Sequence, residues 1–220
     1  MKKKTLISVI LPVYNESATF PKLLKKVLSV KVENIKLQII IIESNSSDGT
    51  REQVQSLEKN KFDIIFQSRA LGKGSAVIEG LKKVKGEIIL IQDGDLEYDP
   101  KDYPLMIKPI IEKKTNFVLG ARIKNGIFGM RKFNNNLIKS FIFNCSHILL
   151  TFLFNLFYKQ KLKDPWTCYK VFKTSCLKNI ILECLGFDFD MELLCKLINN
   201  GYYPLEVPIS YKARSHRQGK

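Results

Sequence analysis

Four consecutive isoleucines, Ile39–Ile42, constrain the fold more than any other segment. A strand with one solvated face alternates apolar and polar residues, whereas a run that is apolar throughout is typical of a strand covered by helices on both faces. Similar apolar runs alternate along the chain with segments of helical periodicity. Strands are predicted near 6–13, 37–43, 62–68, 87–92 and 116–121, and helices near 18–29, 49–59, 74–84 and 101–113. The alternation predicts an α/β, Rossmann-like fold with a mostly parallel central sheet and helices on both faces.

The size and charge of the chain limit its organisation and its partners. Its 220 residues, 45% of them hydrophobic, can bury one sizeable core, so we expect residues 1–220 to form a single domain. Lys and Arg number 36 against 21 Asp and Glu, which gives a net charge of +15. Such a charge favours nucleic acid, phospholipid headgroups or phosphorylated substrates as partners, and the alternative is a Lys-rich solvated surface.

The cysteines indicate a reducing environment. The chain has five, Cys145, Cys168, Cys176, Cys184 and Cys195, with no C-x-x-C pair among them. An odd number of widely separated cysteines argues against a disulfide framework or a zinc site. The basic N-terminus runs within a few residues into a predicted strand, so we expect no secretion signal and a cytoplasmic protein.

Two carboxylates, Asp93 and Asp95, directly follow the apolar run 87–92. Residues two apart in an extended segment point to the same side, so both should face the edge where parallel strands end and ligands bind. Hard oxygen ligands suit Mg²⁺ or Mn²⁺, and a cation shared with substrate phosphates needs only one or two protein carboxylates. The pair therefore predicts a site for a divalent cation that holds a diphosphate, and the alternative is a solvated acidic loop.

Three more polar segments follow predicted strands. Pro12–Glu16 can present Tyr14 and Glu16 to a ligand crevice. In Glu43–Thr50, Ser47 or Asp48 could instead cap the next helix. Segment 68–76 opens a helix with glycines and two cations, among them Lys73, and so could approach a phosphate. No G-x-G-x-x-G or P-loop pattern appears, which disfavours dinucleotide and P-loop chemistry.

Taken together, the motifs resemble those of the inverting family 2 glycosyltransferases of GT-A fold, especially the dolichol-phosphate-mannose-synthase-like branch that uses polyprenyl phosphates. The resemblance covers nearly the whole chain. The matching segments, in order, are Pro12-Val13-Tyr14-Asn15-Glu16, Asp48-Gly49-Thr50, Asp93-Gly94-Asp95-Leu96, Gly120-Ala121-Arg122 and Asp164-Pro165-Trp166-Thr167-Cys168-Tyr169-Lys170. The chain departs from the family at Glu43-Ser44, where two aspartates are usual, and at Glu97, where close relatives often carry glutamine.

The resemblance implies three groups of site residues. The nucleotide-sugar group is Pro12, Tyr14, Glu16 and Asp93, with Glu43 and Ser44 at the usual Asp-Asp positions, and we add Lys73 from segment 68–76. The metal group, for Mg²⁺ or Mn²⁺, is Asp93 and Asp95, with Glu97 as a third carboxylate that could strengthen binding. The acceptor-phosphate group is Arg122 and Arg131, with Arg214 in the basic tail able to contact the diphosphate or a lipid phosphate.

The expected reaction inverts the anomeric centre, because the acceptor attacks from the face opposite the nucleoside-diphosphate leaving group. Asp95 would act with the cation on that leaving group. A phosphate acceptor is already ionised near neutral pH, whereas a sugar hydroxyl needs a general base. Asp190 and Glu192 are the foremost candidates for such a base, beside Asp188. The alternative is that these acids complement the dipole of a helix near 188–200.

An apolar helix is predicted within residues 133–160, and its 137–158 stretch would be about 33 Å long. A narrow polar stripe runs along it: Ser140, Asn144, His147, Thr151 and Asn155. A helix this apolar needs two apolar neighbours. Our hypothesis is that one flank packs on the catalytic domain and another enters a membrane interface beside nearby lysines. The alternative is a helix wholly buried in the core or in a dimer.

The sequence therefore predicts a metal-dependent inverting glycosyltransferase that moves a sugar from a nucleotide-diphosphate sugar to a polyprenyl phosphate. It would be peripheral on the cytoplasmic face of a membrane. Three alternatives stay open: transfer to a glycan hydroxyl, a catalytically inactive binding module, and a nucleic-acid-binding protein, which the charge alone favours.

Overall fold

The computed structural model describes residues 4–122 and 137–214, and within that part a seven-stranded sheet forms the centre of the molecule. The strands are β1 (Thr5–Val13), β2 (Ile35–Glu43), β3 (Asp63–Phe66), β4 (Ile88–Ile91), β5 (Phe117–Ala121), β6 (Lys170–Lys173) and β7 (Leu205–Pro208). The helices are α1 (Phe20–Ser29), α2 (Thr50–Gln55), α3 (Lys73–Leu81), α4 (Tyr103–Ile111), α5 (Leu137–Tyr158) and α6 (Phe189–Asn199).

The strand order is β3-β2-β1-β4-β6-β5-β7, and β6 alone among these seven runs antiparallel to its neighbours β4 and β5. The other pairings are parallel: Val9 of β1 lies between Ile39 of β2 and Leu90 of β4. The predicted mostly parallel sheet is confirmed. Strands β6 and β7 were not predicted, because β6 begins and ends with lysine and β7 contains Pro208, which weakens a strand pattern.

Both faces of the sheet are buried, as the isoleucine run predicts. Ile39 and Ile41 pack on one face with α1 and α4, and Ile40 and Ile42 pack on the other with α3 and α6. Helix α2 ends at Gln55, earlier than predicted, where the Ser56 hydroxyl donates to the Gln53 carbonyl. The covered faces leave the strand ends as the place where polar side chains can meet a ligand.

Helix α5 has the bounds predicted for its core, Leu137–Tyr158. The part of its polar stripe from Asn144 to Asn155 faces the protein: Asn144 and Thr151 are buried, and Asn155 exchanges two hydrogen bonds with the backbone of Leu162. No helix in the described ranges is both long enough and apolar enough to cross a membrane.

Candidate active site

A cavity of about 380 Å³ lies at the carboxyl ends of β1 and β4, where sequence reasoning expects a ligand. Its wall includes Pro12, Tyr14, Glu16, Ser44, Gly72, Lys73, Asp93, Gly94, Asp95, Phe187 and Arg214. The loops after β1 and β4 touch here, since a Cβ on Gly94 would lie 2.7 Å from the Pro12 carbonyl oxygen. Glycine at position 94 therefore lets the segment with the two aspartates approach the Pro12–Glu16 segment.

The loops after β1 and β2 are joined by hydrogen bonds between side chains and backbone. Asn15, at a φ of 52°, accepts from the Ser47 N–H, and the Thr50 hydroxyl accepts from the Glu16 N–H at 2.8 Å. Asp48 accepts from the backbone of Ser17 and Thr50 and from the Thr50 hydroxyl. Partial burial raises the pKa of Asp48, but these hydrogen bonds outweigh it and lower the pKa to about 2. The loops thus form one pre-shaped rim for the cavity.

Glu43 and Ser44 have different positions. Glu43 is fully buried, and its carboxylate accepts from Arg51 at 2.6 Å and from the Ser46 N–H at 2.6 Å. It fastens the loop and does not line the cavity. Ser44 does line the cavity, and its hydroxyl donates to Gln67 at 2.8 Å. Of Glu43 and Ser44, only Ser44 is placed to meet a ligand.

Asp93 and Asp95 both line the cavity, and each has a cationic partner. The Lys73 ammonium lies 2.6 Å from Asp93, and the Arg214 guanidinium lies 2.9 Å from Asp95 and also contacts Glu16. Burial, together with the charge of Asp93, raises the pKa of Asp95 to about 6, although Arg214 opposes the shift. The carboxylates therefore repel each other across a poorly solvated gap, which a bound cation would relieve.

Glu97 lies beside this pair in the sequence, and its carboxylate accepts hydrogen bonds from the C-terminal segment. It accepts from the Tyr211 hydroxyl at 2.7 Å and from the Arg214 backbone N–H at 2.8 Å. Across residues 4–122 and 137–214, no three Asp, Glu, His or Cys side chains converge as a metal-binding group. A role for Glu97 as a third metal-binding carboxylate stays a prediction. Two carboxylates suit Mg²⁺ or Mn²⁺ that shares its coordination with phosphate oxygens, so the residues present fit such an ion.

Asp190, in the first turn of α6, is buried between two lysines. Its oxygens lie 2.8 Å from the Lys73 ammonium and 3.1 Å from that of Lys170. Burial raises its pKa, but the two positive charges outweigh it and lower the pKa to about 2. Glu192 faces elsewhere: it accepts from the backbone of Glu183 and Cys184 and pairs with Lys196. Of the two acids, only Asp190 is connected to the cavity, and it is connected through Lys73.

Two of the arginines predicted to bind an acceptor phosphate lie in the described residues, and they have different partners. Arg122 forms a bidentate pair with the buried Asp164, at 2.7 and 2.8 Å, and stacks over the Tyr211 ring. Arg214 lines the cavity. Arg131 lies outside the described residues.

Sequence reasoning missed two contributors to the site. Phe187 extends an exposed side chain along the cavity wall from the loop before α6. Lys170 ends the segment that resembles a family motif, yet no role was predicted for it. Two sequence signals could have indicated them: Phe187 is an apolar residue in a loop, and Lys170 is a lysine within an apolar strand.

Comparison with known proteins agrees with the motifs. The family model described as glycosyl transferase family 2 matches residues 8–181. A dolichol-phosphate mannosyltransferase of Pyrococcus furiosus is 27% identical over 218 residues, covering 97% of this chain and 58% of that protein. An undecaprenyl-phosphate 4-deoxy-4-formamido-L-arabinose transferase of Aeromonas hydrophila is 29% identical over 111 residues, 49% of this chain and 34% of that protein. The chain thus spans less than two thirds of the length of these curated relatives.

Among solved structures, glucosyl-3-phosphoglycerate synthase from Mycobacterium tuberculosis, in complex with Mg²⁺ and uridine diphosphate, aligns with a TM-score of 0.69 at 17% identity. The alignment covers 97% of this chain and 74% of that one. At this identity the likeness establishes the fold, which is GT-A. The family model covers most of the chain and the fold agrees, so this protein belongs to glycosyl transferase family 2.

Proposed function

We propose that this chain transfers a sugar, with inversion, from a nucleotide-diphosphate sugar to a polyprenyl phosphate. One observation carries the proposal: the cavity brings the carboxylates of Asp93 and Asp95 together with the Lys73 ammonium at the carboxyl ends of β1 and β4. A cation shared by two carboxylates, with a lysine beside it, is what a diphosphate leaving group needs. The two curated relatives, which are named for transfer to or from lipid phosphates, support a lipid-phosphate acceptor.

In this proposal the rim residues hold the donor. Tyr14 is half exposed on the cavity wall, where its ring can pack against the nucleoside, and Pro12, Glu16 and Ser44 complete that side. Asp93 and Asp95 would hold Mg²⁺ or Mn²⁺, which when bound supplies Lewis-acid stabilisation of the departing diphosphate. Lys73 donates to a diphosphate oxygen and stabilises the charge that develops there.

The state of Asp190 favours an acceptor that is already ionised. With a pKa of about 2 and both oxygens paired with ammonium groups, Asp190 is a weak base. A glycan hydroxyl would need a stronger base than Asp190, whereas a phosphate oxyanion needs none. Arg214 lines the cavity and is our candidate to bind such a phosphate, whereas Arg122 is paired with the buried Asp164.

We also propose that α5 lies in a membrane interface, on the cytoplasmic face. Its buried side carries polar residues, while its outward side exposes Leu149, Leu156 and two phenylalanines, Phe152 at 61% and Phe157 at 77%. This arrangement is inverted relative to a water-facing helix, which exposes its polar side. An exposed apolar face on a protein of charge +15 suits an anionic lipid surface.

Flotation with anionic vesicles tests the interface. Phe152→Ser combined with Phe157→Ser should abolish flotation, and Leu28→Ser combined with Leu105→Ser, two exposed residues outside α5, should not. Phe154 is unsuitable as a target because it is buried against Tyr158 and Trp166. Unchanged flotation of a folded Phe152/Phe157 variant would exclude the interfacial role and favour a buried or dimer helix.

Transfer of radiolabel from a panel of nucleotide sugars to polyprenyl phosphate tests the reaction. We expect an organic-extractable product in Mg²⁺ or Mn²⁺, none in excess chelator, and none with Asp95→Ala. Glu79→Ala, which removes a partly exposed carboxylate outside the cavity, is the matched control. Label on a soluble glycan would show that the acceptor is a glycan and not a lipid phosphate. No transfer from any donor would favour an inactive binding module. Salt-sensitive binding of nucleic acid, without any transfer, would favour a nucleic-acid-binding protein.

A further inference from the structure

Lys170 is a charged residue in an apolar position. It is the first residue of β6, its side chain is 0% exposed, and its strand neighbours Val171 and Phe172 belong to the core. Lysine is almost never fully buried unless it is paired, because removing its ammonium from water costs several kcal/mol. Methionine would fill a similar space without that cost. The charge at position 170 is therefore not explained by packing.

The Lys170 ammonium is bound on two sides. It donates to the Thr167 carbonyl oxygen and to one oxygen of Asp190, at 3.1 Å from the latter. The other oxygen of Asp190 accepts from Lys73 at 2.8 Å. Asp190 thus bridges two ammonium groups, one buried beneath the site and one on the cavity wall.

Lys73 ends this series of alternating charges at the cavity. Its ammonium lies 2.6 Å from Asp93 and 2.8 Å from Asp190, so two of its three donors point to carboxylates. Its backbone is also fixed, because Gly74 and Ser75, the next residues of α3, donate to the carbonyl groups of Gly186 and Leu185. Both the ammonium and the backbone of Lys73 are therefore fixed in the free protein, so ligand binding costs little side-chain entropy at this residue.

We propose that Lys170 is a positioning residue that, through Asp190, holds the Lys73 ammonium against the diphosphate of the donor. The inference rests on the proposed function for the identity of the ligand. It assigns Asp190 to orientation of Lys73 and not to proton abstraction. Lys170 itself touches no ligand.

Calorimetric titration with UDP and with GDP, each in Mg²⁺, tests the inference in four proteins. Lys170→Met removes the buried charge, and Lys170→Met with Asp190→Asn removes the pair, which leaves no unpaired buried charge. Lys173→Met is the matched control, because it makes the same change on the same strand at a residue that does not contact Asp190. Urea unfolding of each protein separates stability from binding.

We expect Lys170→Met to weaken binding of the preferred nucleotide about 10-fold, a change of 1.4 kcal/mol. The paired variant should be more stable than Lys170→Met yet bind no more tightly, because Lys73 then lacks the Asp190 carboxylate itself. In turnover, KM for the donor should rise more than kcat falls. Lys173→Met should match the wild type.

Two results would overturn the inference while the proposed function stands. One is wild-type nucleotide affinity in folded Lys170→Met, and the other is recovery of affinity in the paired variant, which would make the lysine purely structural. If the wild type itself bound neither nucleotide and transferred no sugar, the proposed function would fail, and the inference with it.

Discussion

At the scale of single residues, Asp190 links the stability of the protein to pH. Its pKa in the folded chain, about 2, lies below the ordinary 3.8. The ionised carboxylate therefore stabilises the fold above about pH 4, and this contribution, about 2 kcal/mol, is lost as the pH falls toward 2. The sign follows because the unfolded state binds the proton first.

We expect Asp190→Asn to lower the free energy of unfolding at neutral pH by about 3–5 kcal/mol, since two buried lysines lose their shared counter-charge. The loss of stability between pH 4 and 2 should be smaller in this variant than in the wild type. Urea unfolding at several pH values measures both. Asp188→Asn, which alters an exposed carboxylate two residues away, is the control, and equal pH dependence in all three proteins would contradict the prediction.

Arg214 pairs with Asp95, one of the two carboxylates that would hold a divalent cation. Its guanidinium contacts Asp95 at 2.9 Å and Glu16 at 2.9 Å. We expect Arg214→Gln to bind Mn²⁺ about 10-fold more tightly in the absence of nucleotide, because a competing cation is removed. Electron paramagnetic resonance of free Mn²⁺ measures the affinity. Arg69→Gln removes an exposed charge for comparison, and unchanged or weaker Mn²⁺ binding by Arg214→Gln would refute the competition.

At the scale of elements, the end of α5 is fixed by one polar side chain. Asn155 donates to the Leu162 carbonyl at 2.8 Å and accepts from the Leu162 N–H at 2.9 Å. Asn155→Ala leaves both partly buried backbone groups unpaired, so we expect the free energy of unfolding to fall by about 1–3 kcal/mol. Leu156→Ala, at the neighbouring exposed position, should change it by less than about 0.5 kcal/mol.

Urea unfolding should show the larger loss of stability in Asn155→Ala. Vesicle flotation should show the larger loss of binding in Leu156→Ala. Leu156→Ala removes apolar surface from the outward face, whereas Asn155→Ala does not. Equal stability of the two would mean that the polar side of α5 does not anchor the helix.

At the scale of the whole molecule, the N-terminus of α3 docks on the chain more than a hundred residues later. A Cβ on Gly74 would lie 2.2 Å from the Cys184 carbonyl oxygen and 2.7 Å from the Phe189 Cβ, so Gly74→Ala must push these segments apart. We expect it to cost about 1–3 kcal/mol of stability and to weaken nucleotide binding, because Lys73 and Asp190 separate.

Gly186→Ala is the matched change for Gly74→Ala, since its added Cβ meets only the movable Asp188 carboxylate. Urea unfolding and nucleotide titration of both variants measure the effect. Equal behaviour of the two would show that the close approach at Gly74 is not needed for the site.

Much of the architecture follows from the sequence alone. The isoleucine run predicts a strand buried on both faces, alternation predicts parallel β-α-β units, and polar segments at strand ends predict the cavity edge with Asp93 and Asp95. These predictions succeed because they depend on periodicity within about ten residues. The short antiparallel β6, which has no such periodicity, was missed.

Tertiary structure decided which carboxylates reach the cavity. Three glutamates were predicted as site residues but have partners within the fold. Glu43 pairs with Arg51, Glu97 accepts from Tyr211, and Glu192 pairs with Lys196. Asp190 reaches the site because Lys73, 117 residues earlier, meets it beneath the cavity. The sequence determines the charge of each side chain. Its partner depends on the packing of segments far apart in the chain, because a buried charge is stable only beside an opposite one.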